Sequence, residues 1–325
     1  MPGAETRVRW NLARDGALAA LAGRLVRHEP YFVEQATFFL SLLPALVLGR
    51  PDVVYFADLN LGNLCWHWRR VSGQRYRLLY YNGGPTTLPF TRADFVQQVT
   101  PVGLDLAVAR GESPDRQTVL AHGLDVPASL PSRITGDARR ALGLPADRRI
   151  VLSVGALDAR VKRVDYLIRE IAALPEPRPF LCLLGANSPD GDAMRALATS
   201  LLGDDVMIRS VPHESIGDYY RAADLFVLAS PAEGFGLVFV EALAHGLPIV
   251  AHDTPVMRYV LGEYATLTDL TAPGAGAREI RAALCRPLRE EERAARHASA
   301  RTRFGWDSLR EPYVRMLTHV AELPR

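Results

Sequence analysis

Glu233 and Glu241 stand eight positions apart in SPAEGFGLVFVEALAHGLP (230–248), and Gly234, Phe235 and Gly236 directly follow the first of them. Glycines let a ligand come close to the backbone, and the free N–H groups of a helix start attract an anion. A phosphate is therefore a natural occupant of this turn. Carboxylates repel phosphate, but they accept hydrogen bonds from the vicinal hydroxyls of a sugar or ribose. Glu241 falls in the second turn of an otherwise apolar helix, where an unpaired charge is costly. A ribose diol or a nearby arginine would satisfy it. Glu233 can also be read more plainly, as a favourable charge at a helix N-terminus.

The third candidate is Lys162. Of 38 Lys+Arg residues it is the single lysine, which leaves 38 − 1 = 37 arginines. A compact ammonium at the carboxyl end of a strand can neutralise a diphosphate as a mobile point charge, which a planar guanidinium does differently. The plain alternative is a solvated surface lysine.

These residues need elements to hold them. DLFVLA (224–229) and PIVAHD (248–253) read as buried strands on either side of a helix from Leu237, stopped by Gly246 and Pro248. Upstream, strands are predicted within 148–157, 179–188 and 205–212, and helices over 163–174, 191–202 and 214–223. The alternation predicts a parallel sheet whose carboxyl-end turns carry Lys162 and Glu233. The earlier part of the chain alternates too. Strands are predicted at 50–56 and 75–84, a helix at 61–73, a helix or strand–helix pair at 95–111, and a strand and turn at 117–125. VPASLPSRITG (126–136) reads as a hinge, so two α/β halves with a ligand cleft between them are expected.

Composition narrows the classes. At 325 residues, 48% hydrophobic and 23% charged, the chain is globular, with length for two domains. A formal net charge of +2 gives no argument for a nucleic-acid partner. Three widely spaced cysteines read as reduced core residues, neither a disulfide framework nor a metal site. The first residues lack the apolar core of a signal peptide, so a cytoplasmic location is expected. ATFFLSLLPALVLG (36–49) reads as a buried helix too short to span a bilayer. Its alternative is an interfacial helix, which would give peripheral contact with the inner membrane face.

The pattern Glu233, seven residues, Glu241 resembles the double-glutamate signature of retaining nucleotide-sugar glycosyltransferases with the GT-B fold, family 4 (group 1). LSVGALDARVKRVDYLI is similar to that family's phosphate-lysine segment. LLGANSPDG, YYRAADLFVLAS and FGWDSLREPYV (304–314) are similar to its other blocks, in the usual order. The likeness runs from about residue 117 to 314. It implies an α/β fold of two Rossmann-like domains facing across a cleft, the N-terminal one (1–130) short or missing its first β-α-β unit. A nucleotide-sugar-binding domain (131–305) and a helix crossing back to the first domain (306–325) would follow.

The resemblance further implies transfer of a hexosyl group from a nucleoside diphosphate sugar to a carbohydrate, lipid-linked or small-molecule hydroxyl acceptor. Configuration would be retained, with no metal and no cofactor beyond the sugar nucleotide as co-substrate. Glu233 would hold hydroxyls of the donor hexose and Glu241 the ribose diol. Phe235, Gly236 and Leu237 would offer backbone N–H groups, and Lys162 would neutralise the leaving diphosphate. Gly155 and Gly234 would complete the two strand-end turns, and Val211 would lie near the base.

The chain also departs from the family. Ala156 stands where an arginine is usual, so Arg160 or Arg163 would take over, and Arg258-Tyr259 replaces a frequent Arg-Glu. Met1 to Pro30 show no opening strand and glycine-rich loop. The usual first-domain histidine gives way to Asn82, followed by Gly83 and Gly84, which would face the acceptor. His28, His67 and His122 are the alternatives for it. These departures favour a second reading, a catalytically silent nucleotide-sugar-binding or scaffold subunit.

Overall fold

The computed structural model describes residues 29–84, 90, 92–186 and 188–324. The readings made on residues 1–28, His28 included, lie outside the described residues. The chain divides into two compact units. One comprises the described residues up to Leu120 together with those from Glu311, and the other is Ala121–Arg310.

The first unit contains α1 (Pro30–Gly49), β1 (Val53–Phe56), α2 (Leu59–Ser72), β2 (Arg77–Asn82), β3 (Phe95–Gln98), α3 (Pro101–Ala109) and β4 (Gln117–Val119). Its sheet runs β1-β2-β3-β4, and every neighbouring pair is parallel. The uncertain stretch 95–111 is thus a strand–helix pair, broken by Thr100, whose side chain caps α3 by accepting from Gly103 N. Phe56, Tyr76, Leu78, Tyr80 and Val96 fill the core.

The expectation for 36–49 needs correction. The helix starts earlier, at Pro30, whose fixed φ suits a first turn, and runs for 20 residues. It is not a buried core helix. Val33, Phe39 and Leu46 are buried, while Leu40, Pro44, Val47 and Leu48 share an exposed face at helical spacing. By length and composition α1 is apolar enough to cross a membrane. Pro44 removes one backbone donor but does not end the helix.

The second unit begins with α4 (Gly136–Ala141), β5 (Ile150–Val154), α5 (Val164–Ala172), β6 (Phe180–Leu184), α6 (Gly191–Leu202) and β7 (Val206–Arg209). It continues with α7 (Ile216–Ala222), β8 (Leu225–Leu228), α8 (Leu237–Ala244), β9 (Ile249–His252), α9 (Pro255–Leu261) and β10 (Thr266–Thr268). Then come α10 (Ala275–Cys285), α11 (Glu290–Phe304) and α12 (Trp306–Glu322), and α12 passes among the first unit's residues at Glu311. The strand order is β10-β9-β8-β5-β6-β7, all parallel. The chain winds outward from β5 to β7, returns, and winds the other way from β8 to β10. The topological switch point of this doubly wound sheet lies between β5 and β8, where ligands settle at the carboxyl ends. β5, β6 and β8 are buried along their whole length, as strands covered on both faces must be.

The stretch 126–136, expected as a hinge, is strapped to the second unit. Leu124 N–H donates to Phe304 O (2.8 Å) and Trp306 N–H to Leu124 O (3.1 Å). Arg293 and Arg301 bond the carbonyls of Pro131 and Ala128, and Ile134 N–H bonds Arg221 O. The unit boundary accordingly falls before this stretch, at Ala121.

Asp224, buried just ahead of β8, accepts from Arg133 (2.7 Å), Arg139 (3.0 Å), Arg149 (3.3 Å) and the N–H of Ile150 (2.9 Å). It ties this strap and α4 to the sheet. Burial alone would raise its pKa, but the hydrogen bonds from Arg133 and Ile150 and the arginine charges outweigh burial and hold it below the ordinary value. Its contribution is therefore complete above about pH 4 and is lost as pH falls through the lower folded value. Asp224→Asn should reduce the unfolding free energy by about 2 kcal/mol near neutrality. In urea titrations the gap from wild type should close in acid. A gap that stays constant down to about pH 2 would refute this role.

Candidate functional site

The loop after β5 is organised by one carboxylate. Asp158 Oδ1 accepts from the N–H groups of Arg160 (3.0 Å), Val161 (2.6 Å) and Lys162 (3.0 Å). Its carbonyl accepts from Val164 N–H at 3.0 Å. Lys162 is thus held at the entrance of α5, and its stem lies over Gly155, where an added Cβ would stand 3.4 Å from Lys162 Cγ. The neighbouring turn after β6 comes very close. A Cβ on Gly185 would lie 1.7 Å from Gly155 O, so no other residue fits there without displacement.

The turn after β8 supplies the other half. Glu233 Oε1 accepts from Lys162 Nζ at 2.5 Å, so the connections leaving β5 and β8 meet at the switch point. Both side chains are mostly sheltered, 22% exposed for Lys162 and 11% for Glu233. Phe235 is buried and meets Phe304 edge-on, with centroids 5.4 Å apart, which anchors the turn. Gly236 caps α8 in the left-handed region (φ 80, ψ 61), where a side chain would be strained and pressed against Phe239. No side chain caps this helix among the described residues. The backbone of Gly234, Gly236 and Leu237 therefore leads into an open helix start next to an ammonium and a carboxylate. Such a place can take a phosphate group and a hydroxylated ring side by side.

Glu241, half-buried in the second turn of α8, is paired with neither an arginine nor a lysine among the described residues. Its Oε2 accepts from the hydroxyl of Tyr220 on α7 at 2.8 Å. Other expected residues lie elsewhere. Arg160 is exposed, and Val211 is half-buried beyond β7, ahead of the turn His213–Ser215. Asn82 is buried in a chain of side-chain amides. Its Nδ2 donates to Gln98 Oε1 (2.8 Å), and Gln98 Nε2 donates to Gln117 Oε1 (2.6 Å). Gly83 and Gly84 follow it at the end of β2, and residues 85–89 beyond them lie outside the described residues. His67 is exposed on α2, and His122 is half-buried, its pKa lowered by burial. The one Asp-x-Asp nearby, Asp190-Gly191-Asp192, opens α6, and Asp190 accepts from Ala159 N–H. Among the described residues no group of three His, Cys, Asp or Glu is placed to hold a metal ion. A cavity of about 440 Å³ opens at the opposite, amino edge of the sheet, beside Arg149 and Pro248, and none of the candidate residues lines it.

Two contributors escaped the sequence reading. Asp158 had a signal, an Asp followed by a short polar turn. Tyr220 had none, since YYRAA reads only as helix core.

The chain belongs to the family described as glycosyl transferases group 1, whose sequence profile matches residues 135–303. It is 34% identical over 232 residues to a D-inositol 3-phosphate glycosyltransferase of Thermobispora bispora, covering 64% of this chain and 52% of that one. A D-inositol 3-phosphate glycosyltransferase of Thermomonospora curvata is 33% identical, covering 69% of this chain and 59% of that one. The chain therefore spans little more than half the length of these curated relatives. Among solved structures, sucrose-phosphate synthase of Thermosynechococcus elongatus matches with a TM-score of 0.74 and 23% identity, covering 89% of this chain and 78% of that one. Anabaena HepE, solved in complex with UDP-glucose, matches with a TM-score of 0.69 and 19% identity, covering 87% and 82%. At these identities the likeness shows the fold, that of the GT-B glycosyltransferases.

Proposed function

We propose that the chain transfers a hexosyl group from a nucleoside diphosphate sugar to a hydroxyl acceptor, with retention of configuration and without a metal ion. The observation that carries the reading is the Lys162–Glu233 pair at the switch point beside the open start of α8. Before the donor arrives, each charge neutralises the other. An incoming diphosphate offers Lys162 a stronger partner and releases Glu233, whose oxygens then accept from hexose hydroxyls. As the bond from the sugar's anomeric carbon to the diphosphate breaks, its electron pair leaves with the phosphate. Lys162 and the backbone N–H groups of Gly236 and Leu237 meet that growing charge. The acceptor oxygen bonds the same carbon, and its proton passes to the oxygen of the leaving diphosphate, which carries the electron pair of the broken bond. Retention is supported by the double-glutamate pattern, and independence from metal by a cation already in place.

A calorimetric screen of UDP-, GDP- and ADP-sugars tests the reading. One nucleotide class should bind, with the free nucleoside far weaker than its diphosphate. Binding by none would reject it. Binding without transfer, with transfer appearing only when a related subunit is added, would favour the silent-subunit reading.

A further inference from the structure

Tyr220, on α7 beside Glu241, is a buried polar side chain that the proposed chemistry leaves unused. It is 1% exposed. Its ring stacks on His245 at 5.1 Å and 16°, and Phe226 lies 5.8 Å away on the strand beneath. The hydroxyl reaches Glu241 Oε2 at 2.8 Å and Val238 O at 3.1 Å. Burial first, then the charge of Glu241, pushes the phenol well above its ordinary pKa, so it remains a donor. The carboxylate is the stronger of its two acceptors. His245 fixes the other end of the same residue, with Nδ1 2.8 Å from Glu241 O. A carbonyl can only accept, so Nδ1 carries the proton. Glu241 is thereby clamped at its carbonyl and at one carboxylate oxygen, and Oε1 accepts no hydrogen bond among the described residues.

We propose that Tyr220 is a positioning residue that pins Glu241 Oε2 and presents Oε1 to the ribose hydroxyls of the nucleotide. The inference rests on the nucleotide-sugar reading, in which Glu241 takes the ribose, and adds to it what holds Glu241 in place. A glutamate held in one rotamer before the ligand arrives spares the ordering cost that a free side chain bears on binding. The clamp also explains why a carboxylate persists in the apolar helix VFVEALA without a cationic partner.

Tyr220→Phe tests this while keeping the ring, its stacking and its volume. Calorimetry would use the nucleoside diphosphate selected by the screen and its 2′,3′-dideoxy counterpart. The variant should raise Kd for the ribose form about tenfold and leave the dideoxy form within about twofold. Weakening of both forms alike would show general loosening and overturn the proposal, as would no change in either. Should Tyr220→Phe fail to fold, the Tyr220→Phe/Glu241→Gln double variant removes the half-buried charge left without its donor. It must fold and bind the ribose form as Glu241→Gln does, and weaker binding than that single variant overturns the proposal. If the wild-type chain binds no nucleoside diphosphate, the underlying reading fails first, an outcome distinct from wild-type binding that is indifferent to Tyr220.

Discussion

Lys162→Ala raises the dissociation constant of the nucleoside diphosphate by roughly ten- to a hundredfold and leaves that of the bare nucleoside unchanged. Two effects add. The variant loses a charge-assisted contact to phosphate, and it leaves Glu233, 11% exposed, without its cation where an anion must enter. One opposing effect keeps the loss from being larger, since in wild type the diphosphate must displace Glu233 from Lys162. Transfer should fall further than binding, on the order of 10²–10³, because negative charge on the leaving diphosphate peaks in the transition state. Lys162→Arg should recover only part of the affinity. Its stem lies in ordinary contact with Gly155, and a planar guanidinium meets phosphate with a different geometry from a compact ammonium. Titration calorimetry with diphosphate and nucleoside decides the matter. Equal losses for both ligands would mean that Lys162 does not touch the diphosphate.

That the pair is Lys162 with Glu233 is not legible from either residue. They are 71 positions apart, and each had a bland alternative. Their meeting follows from the doubly wound strand order, which sets β8 beside β5 and not beside β7. The alternation of strands and helices was readable because β5, β6 and β8 are short, dense apolar runs with glycine-bearing ends. The turn after β8 was readable for the same reason. The exposed face of α1 carries no local signal in the sequence. Residues 30–35 are mixed in polarity, and nothing in the sequence says which apolar residues of a helix will find a partner. The stretch 126–136 looked like a hinge because proline and serine favour exposed loops. Its tethers come from Arg293, Arg301 and Arg221, far along the chain. The resemblance suggested an arginine near Gly155, yet Arg160 points to solvent. The loop is organised instead by the Asp158 carboxylate, a short-range turn that the sequence carries as an Asp ahead of a short polar run.

Glu233→Ala should separate the sugar from the diphosphate. Removing the carboxylate frees Lys162, so affinity for the free diphosphate should stay level or tighten by up to about fivefold, the worth of a mostly sheltered ion pair that water still reaches. The sugar nucleotide should lose that advantage, because the same change removes the acceptor for its hexose hydroxyls. The two ligands then bind more alike than they do to wild type, a comparison that calorimetry makes without requiring turnover. Transfer, where it is measured, should fall on the order of 10²–10³. Glu233→Gln keeps a hydrogen-bond acceptor and should lose less discrimination than the alanine variant, while removing the charge that competes with the diphosphate for Lys162. The bland reading makes the opposite forecast. If Glu233 serves only to hold Lys162 in place, its removal should weaken the free diphosphate much as Lys162→Ala does, with no special penalty for the sugar. The two readings therefore predict opposite signs for a single number, the change in diphosphate affinity on losing Glu233. Because Lys162 is also fixed from the other side by the Asp158-bonded loop and by Gly155 beneath its stem, it does not need Glu233 to stay where it is. The expected sign is tighter or unchanged.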